Sequence, residues 1–305
     1  VMAVLKEFSP FMEQYSIDEA FIDLTGLRRY YRCSYLNIAK LIKKEVKKKV
    51  GIDVSVGVSF NKTLAKLASH IAKNSDGATV IGKFTLYKIL QNTAIEEIWG
   101  VGRNLSVMFR KNGIKTAKEI IDMPDKWLKD KIGIVGLDLK QELSGKYVNK
   151  ISSSKRIPKS IQDTSTFPNF TSDKNFLKQE LNYHIHTTCK KLRKHNLKAK
   201  NITLILKTKD FRYFCEKIKL ENETNSELEV EKYISLMLDK IYNSSNIYRS
   251  SGICLDGLCS AENNQLSIFD DNEKNAKLDR LGKKLDKLEQ KFGKNIIQTG
   301  LFNAT

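Results

Sequence analysis

The chain is poor in cysteine, has no long apolar run and is short of acid. Its five cysteines, Cys33, Cys189, Cys215, Cys254 and Cys259, form no CxxC pair, and only the last two lie close together. That speaks against a zinc site or a disulfide framework, so reduced thiols in a cytoplasmic protein are expected. The histidines His70, His184, His186 and His195 have no clear ligand partners and read as structural or surface residues. The longest apolar stretches, such as residues 202–206, are too short to cross a bilayer, and no secretory-leader pattern is visible. No membrane partner is expected from them. Acids number 35 against 53 Lys and Arg, a net charge of +18. Such a surplus draws polyanions. Nucleic acid is the leading partner on charge; an anionic membrane, or simply a composition rich in Lys, Asn and Ile, is the alternative.

What the chain does have is enough apolar residue, 41 % of 305, for a sizeable core and more than one domain. Residues 1–8 read as the end of a helix, and residues 15–17 and 20–24 as short strands before a turn at Thr25 and Gly26. Between the strands stand Asp18 and Glu19. Adjacent acids there form either an ordinary solvated turn or a pair of oxygen ligands for a hard divalent cation, since magnesium needs only one or two carboxylates besides phosphate oxygens. Asp23 lies an even step beyond Glu19 and is secondary. Residues 33–50 read as a helix with Leu36, Ala39, Ile42 and Val46 at helical spacing. Residues 53–59, DVSVGVS, alternate as a strand. Residues 61–73 read as a helix capped by Ser59 or Asn61, with Leu64, Leu67, Ala68 and Ile71 as its apolar stripe and Lys62, Lys66 and Lys73 outside it. Lys73 either complements the helix C-terminus or places its ammonium on the triphosphate of a nucleotide.

Residues 15–26, YSIDEAFIDLTG, and residues 55–77, SVGVSFNKTLAKLASHIAKNSDG, resemble the Y-family of error-tolerant DNA polymerases, most closely the bacterial UmuC and MucB/ImpB branch. The resemblance implies an α+β chain whose Asp18 and Glu19 coordinate Mg2+ and whose Lys73 touches the phosphates of an incoming dNTP. The implied chemistry is attack of a primer 3′-hydroxyl on the α-phosphate, in DNA repair and SOS mutagenesis. The family has a further aspartate on an early palm strand, and a fingers region, for which no segment stands ahead of Val1. The expectation is therefore a partial palm, a truncated form that extends primers little or not at all by itself. The alternative is a non-enzymatic DNA- and clamp-binding protein derived from such a polymerase.

The expected domains are a partial palm at 1–94, a small helical thumb at 95–151, a DNA-binding little finger at 152–259 and a tail at 260–305. In the thumb, IWGVG followed by RNLSVMFRKN resembles a helix-hairpin-helix, in which Gly100, Gly102 and Arg103 would hold a DNA phosphate; an ordinary helix connection is the alternative. Arg110 and Lys111 are further basic residues there, and Trp99 and Trp127 read as packing anchors. A linker is expected at 152–155. The strand–helix–strand–strand–helix–strand order that follows is the split βαβ arrangement, matching the little finger, with Lys209, Arg212 and Lys217 as phosphate contacts on primer–template DNA. In the tail, QLSIF resembles the bacterial sliding-clamp motif: Gln265 makes polar contacts while Leu266, Ile268 and Phe269 enter a groove. Packing within the same chain is the alternative. Residues 274–290 read as a helix with Leu278, Leu281, Leu285 and Leu288 in register. A UmuD-like accessory protein completes the partners that the resemblance implies.

Overall fold

The computed structural model describes residues 1–152, 157–261 and 272–293. The chain divides into two compact units, residues 1–155 and 156–305. The first contains α1 (Met2–Lys6), β1 (Met12–Gln14), β2 (Ala20–Ile22), α2 (Leu27–Tyr31), α3 (Tyr35–Val50), β3 (Val56–Val58), α4 (Lys62–Lys73), β4 (Ala78–Val80) and α5 (Lys83–Asn92). A 3-10 turn at Ile95–Glu97 leads into α6 (Arg103–Lys111), α7 (Ala117–Asp122), α8 (Asp125–Ile132) and α9 (Ile134–Leu143).

Strands β1 and β2 pair antiparallel, with Met12 opposite Ile22 and Gln14 opposite Ala20. Residues 15–17, expected as a strand, instead form the hairpin turn. The amides of Tyr15 and Ser16 both donate to the Glu19 carbonyl, which closes the loop there. The strand expected over 53–59 narrows to β3, which pairs parallel with β4 through the crossover helix α4.

Helix α3 begins where Ser34 accepts from the Asn37 amide and ends at Gly51, whose φ of 79° only glycine adopts cheaply. Its Ile38, Ala39, Ile42 and Val46 are buried, against a core that includes Val4, Phe8 and Leu24. Burying each large aliphatic side chain contributes roughly 1.5–3 kcal/mol. Asn61, not Ser59, caps α4, accepting from the Leu64 amide at 2.9 Å. The Asn61 side-chain amide also donates to the carbonyls of Glu142 and Lys146, at 2.7 and 2.9 Å. Thr63 donates to the buried Glu142 carboxylate, which also receives the backbone and side-chain amides of Asn149 at 2.9 Å each. The start of α4 is thereby fixed to the end of α9. Leu64 and Leu67 share one core with Ile98, Phe109, Ile120 and Leu143, so residues on both sides of position 94 pack together.

The second unit contains β5 (Ser160–Thr171), α10 (Lys174–Lys194), β6 (Leu197–Thr208), β7 (Tyr213–Thr224), α11 (Glu227–Ile241), β8 (Tyr248–Asp256), the short β9 (Cys259–Ser260) and α12 (Asn272–Phe292). The sheet order is β5-β8-β6-β7, with every neighbouring pair antiparallel. Alternation along β6 sends Ile202, Leu204 and Leu206 into a core with Leu181, Ile185, Ile234 and Leu238 of α10 and α11. The intervening Thr203, Ile205 and Lys207 lie on the other face.

Two sets of side-chain contacts stand out in this unit. Buried His184 shares Nδ1 with Asp163 at 2.8 Å, and its Nε2 lies 3.2 Å from the Ser251 hydroxyl. Helix α12 meets α10 through charged side chains, and its Leu278 and Leu285 are half-buried. Arg193 bonds both carboxylate oxygens of Asp286 at 2.7 Å, while Leu281 and Leu288 stay exposed. Among the described residues all five cysteines are free thiols, and no helix is long and apolar enough to cross a membrane.

Candidate active site and nucleic-acid interface

The β1–β2 turn is built around Ser16. Its hydroxyl donates to Asp18 Oδ1 at 2.7 Å and accepts the Glu19 amide at 3.1 Å. This holds Asp18 out in solvent, with Ile17 beside it 93 % exposed. The Ser16 hydrogen bond, and then Asp18's own backbone amide, hold the Asp18 carboxyl below its ordinary range; Lys66 and Lys73 lower it further, while loss of hydration opposes them. Asp18 therefore stays ionised at lower pH than a free aspartate.

Lys62, Lys66 and Lys73 recur at steps of four and seven along α4, the spacing of one helix face. That face meets the hairpin. Lys66 donates to Glu19 Oε2 at 2.8 Å and lies 5.2 and 5.3 Å from the rings of Tyr15 and Trp99. Lys62, expected on an exposed face, is buried and bonded to Glu13 of β1 at 2.5 Å. A buried ammonium needs such a partner. Tyr15, Phe21 and Trp99 form an aromatic cluster at centroid distances of 5.2–5.9 Å, so Trp99 anchors the acidic turn to the segment before α6. Glu13 was not singled out from the sequence, and Lys66 was visible there only as one of the lysines outside the apolar stripe of α4.

Asp23 caps the following turn, accepting the Thr25 amide at 2.8 Å, and so serves local structure. Among the described residues no group of three or more His, Cys, Asp or Glu side chains converges as a metal cage. The pair of exposed Asp18 and half-buried Glu19 suits instead a cation that takes one or two carboxylates and completes its shell with phosphate and water, the habit of magnesium. Lys66 occupies Oε2 of Glu19. Lys73 is exposed at the end of α4, its charge reaching Asp18.

The proposed phosphate contacts fall into two classes. Gly100, with φ of 93°, and Gly102, the residue ahead of α6, are exposed, and a Cβ on either would meet nothing within 4 Å. Arg103 opens α6 and is exposed, but Arg110 is tied bidentately to Glu96 at 2.5 and 2.9 Å. In the second unit Lys209 and Arg212 stand exposed in the β6–β7 loop. Lys217 is held by Asp256 at 2.8 Å. Gln265, Leu266, Ile268 and Phe269 lie outside the described residues, as does most of the expected linker.

Comparison with known proteins places the chain in a family. Residues 1–70 match the impB/mucB/samB family, and residues 158–268 match the C-terminal domain of that family. "DNA polymerase IV" of Clostridium kluyveri is 31 % identical over 98 % of this chain and 76 % of its own length. "Protein UmuC" of Salmonella typhimurium is 29 % identical over 97 % of this chain and 72 % of its own. The solved "Y-family DNA polymerase chimera Dbh-Dpo4(243-245)-Dbh" is 25 % identical with a TM-score of 0.70, covering 85 % of this chain and 74 % of the chimera. The chain thus belongs to the Y-family of DNA polymerases, as a UmuC- and DinB-like impB/mucB/samB member.

Proposed function

We propose that this chain supplies catalytic and DNA-gripping parts of an error-prone translesion polymerase, transferring nucleotides from dNTP to a primer 3′-hydroxyl with magnesium. The observation that carries this reading is the acidic turn: Asp18, exposed and ionised, lies beside Glu19 and within the field of Lys66 and Lys73. Asp18 and Glu19 would hold the cation, which when bound neutralises phosphate oxygens and favours the attacking alkoxide. Lys73 adds positive charge for the triphosphate, and Ser16 fixes the carboxylate that receives the metal. The palm comprises 1–94, the thumb 95–151 with a helix-hairpin-helix at Gly100, Gly102 and Arg103, and the little finger 152–259 with its split βαβ sheet. Lys209 and Arg212 contact DNA phosphates, with Lys217 as a contact only on leaving Asp256. Gln265, Leu266, Ile268 and Phe269 engage a sliding clamp, and a UmuD-like protein is a further partner.

A second reading, DNA and clamp binding without catalysis, is favoured by the Glu19–Lys66 pair and by the lack of a third converging carboxylate among the described residues. Manganese, a spectroscopic substitute for magnesium, separates the two. The catalytic reading predicts that dNTP and Mn2+ bind together, seen by electron paramagnetic resonance, and that Asp18→Asn or Glu19→Gln weakens this. Binding indifferent to both changes favours the second reading.

A further inference from the structure

The β6–β7 hairpin carries a residue that local physics disfavours. Thr208 and Arg212 close its loop: the Thr208 amide donates to the Arg212 carbonyl at 3.0 Å, and the Phe211 amide returns to the Thr208 carbonyl at 3.0 Å. Phe211 has φ of 65°, the left-handed position that such loops normally give to glycine. A bulky residue there strains the backbone. The ring gains little burial in return, being 60 % exposed, and Tyr213 and Phe170 beside it are 64 % and 42 % exposed.

Cations surround these rings. Lys207 Nζ lies 4.7 Å from the Phe211 centroid and 4.6 Å from that of Tyr213; Arg249 Cζ lies 4.2 Å from Phe211 and 5.5 Å from Phe170. Lys209 and Arg212 flank Phe211 in the loop, where Asp210 is the lone acid. Among the described residues none of these four cations forms an ion pair with a carboxylate. Exposed rings capped by cations that no carboxylate holds suit an unpaired nucleotide: a base takes the place of a cation on a ring face or stacks on the guanidinium, and its phosphates receive the ammonium groups. A purely apolar partner would use the rings but would have to strip four unpaired charges of water.

We propose that the Phe211–Tyr213–Arg249 cluster is a stacking site for an unpaired base of single-stranded DNA, separate from the backbone grip on duplex. It rests on the reading of this unit as DNA-binding. The test uses the whole chain and fluorescence anisotropy with labelled oligo-dT, an abasic oligonucleotide of equal length, and duplex. Phe211→Gly removes the ring and relieves the strained φ, so the variant's melting temperature should hold or rise. The parent should prefer oligo-dT to the abasic strand on the order of tenfold. Phe211→Gly should lose that preference and keep its duplex affinity, and Tyr213→Ala should move the same way. Equal binding of oligo-dT and abasic strands by the parent, or an unchanged preference in Phe211→Gly, overturns the stacking site alone. Failure of the parent to bind any of the three overturns the DNA-binding reading beneath it. Loss of sliding-clamp binding in Phe211→Gly, with the oligo-dT preference intact, reassigns the patch to a protein surface.

Discussion

At the residue scale, the proposed cation would compete for Glu19 with the Lys66 ammonium now on it. Lys66→Gln removes the competitor, so Mn2+ alone should bind more tightly, by several-fold, while the Tyr15 and Trp99 rings lose a cation–π partner. A titration without nucleotide checks this, and unchanged affinity would mean that Glu19 is not a ligand. The acid pair itself was legible because its members are adjacent in sequence. Its lysine partner was not, because 47 residues separate Glu19 from Lys66 and only the β1–β2 hairpin packed on α4 unites them. Gly57 was illegible for a similar reason. A Cβ there would lie 2.1 Å from the Ser69 amide nitrogen and 2.3 Å from the Ala65 carbonyl, both on the backbone of α4. Gly57→Ala should therefore lower stability by roughly 1–3 kcal/mol or more, read as a fall in melting temperature. An unchanged melt would show that β3 and α4 separate freely.

At the element scale, the strand and helix order of the second unit was readable from the sequence, and α3, α4, α10 and α11 from apolar periodicity. The position of α12 was not, since its leucine register gave a helix but not the ion pairs that hold it to α10. His186 on α10 lies between Glu227 of α11 and Glu289 of α12, each at 2.9 Å, with Lys190 also on Glu289 and Arg193 joining Glu227 to Asp286. The Glu227 hydrogen bond raises the His186 pKa above its ordinary 6.5; burial opposes it, the charges of Glu227 and Glu289 reinforce it, and Lys190 counters. A raised histidine pKa stabilises docking fully below 6.5, and this is lost as pH rises through the raised value. Glu227 has the opposite sign. Burial would raise its pKa, but His186 and Arg193 hold it below 4.5, so its contribution is present above 4.5 and lost as pH falls through the lowered value. Proteolysis within 272–293 should thus be slowest between those limits and accelerate on either side. In His186→Gln the acceleration on the alkaline side should vanish; its persistence would assign the effect elsewhere. The proposed clamp peptide yields an independent prediction: Leu266→Ala with Phe269→Ala should sharply weaken binding to a bacterial clamp and leave the melting temperature near the parent's. Intact clamp binding with a large stability loss would make residues 265–269 an internal packing segment.

At the scale of the whole molecule, charge composition pointed to a polyanion before any motif did, and +18 remains the broadest constraint on partners. Several cations are already spent on internal pairs, Lys217 and Arg110 among them, so composition alone overstates the number available to DNA. Those left free should still make duplex binding steeply salt-dependent and weakly selective for sequence, losing on the order of a thousandfold between about 50 and 200 mM salt if six phosphates are neutralised. A flat titration would count against both phosphate grips. The central claim is that the acidic turn serves a templated nucleotide. A primer–template ending in a dideoxynucleotide forms the ternary complex without turnover, so DNA affinity can be measured with each dNTP in magnesium. The dNTP complementary to the template should tighten DNA binding while the other three do not, and Asp18→Asn should abolish the difference but not binding itself. Equal affinity with all four nucleotides, or a preference that survives Asp18→Asn, would contradict the central claim.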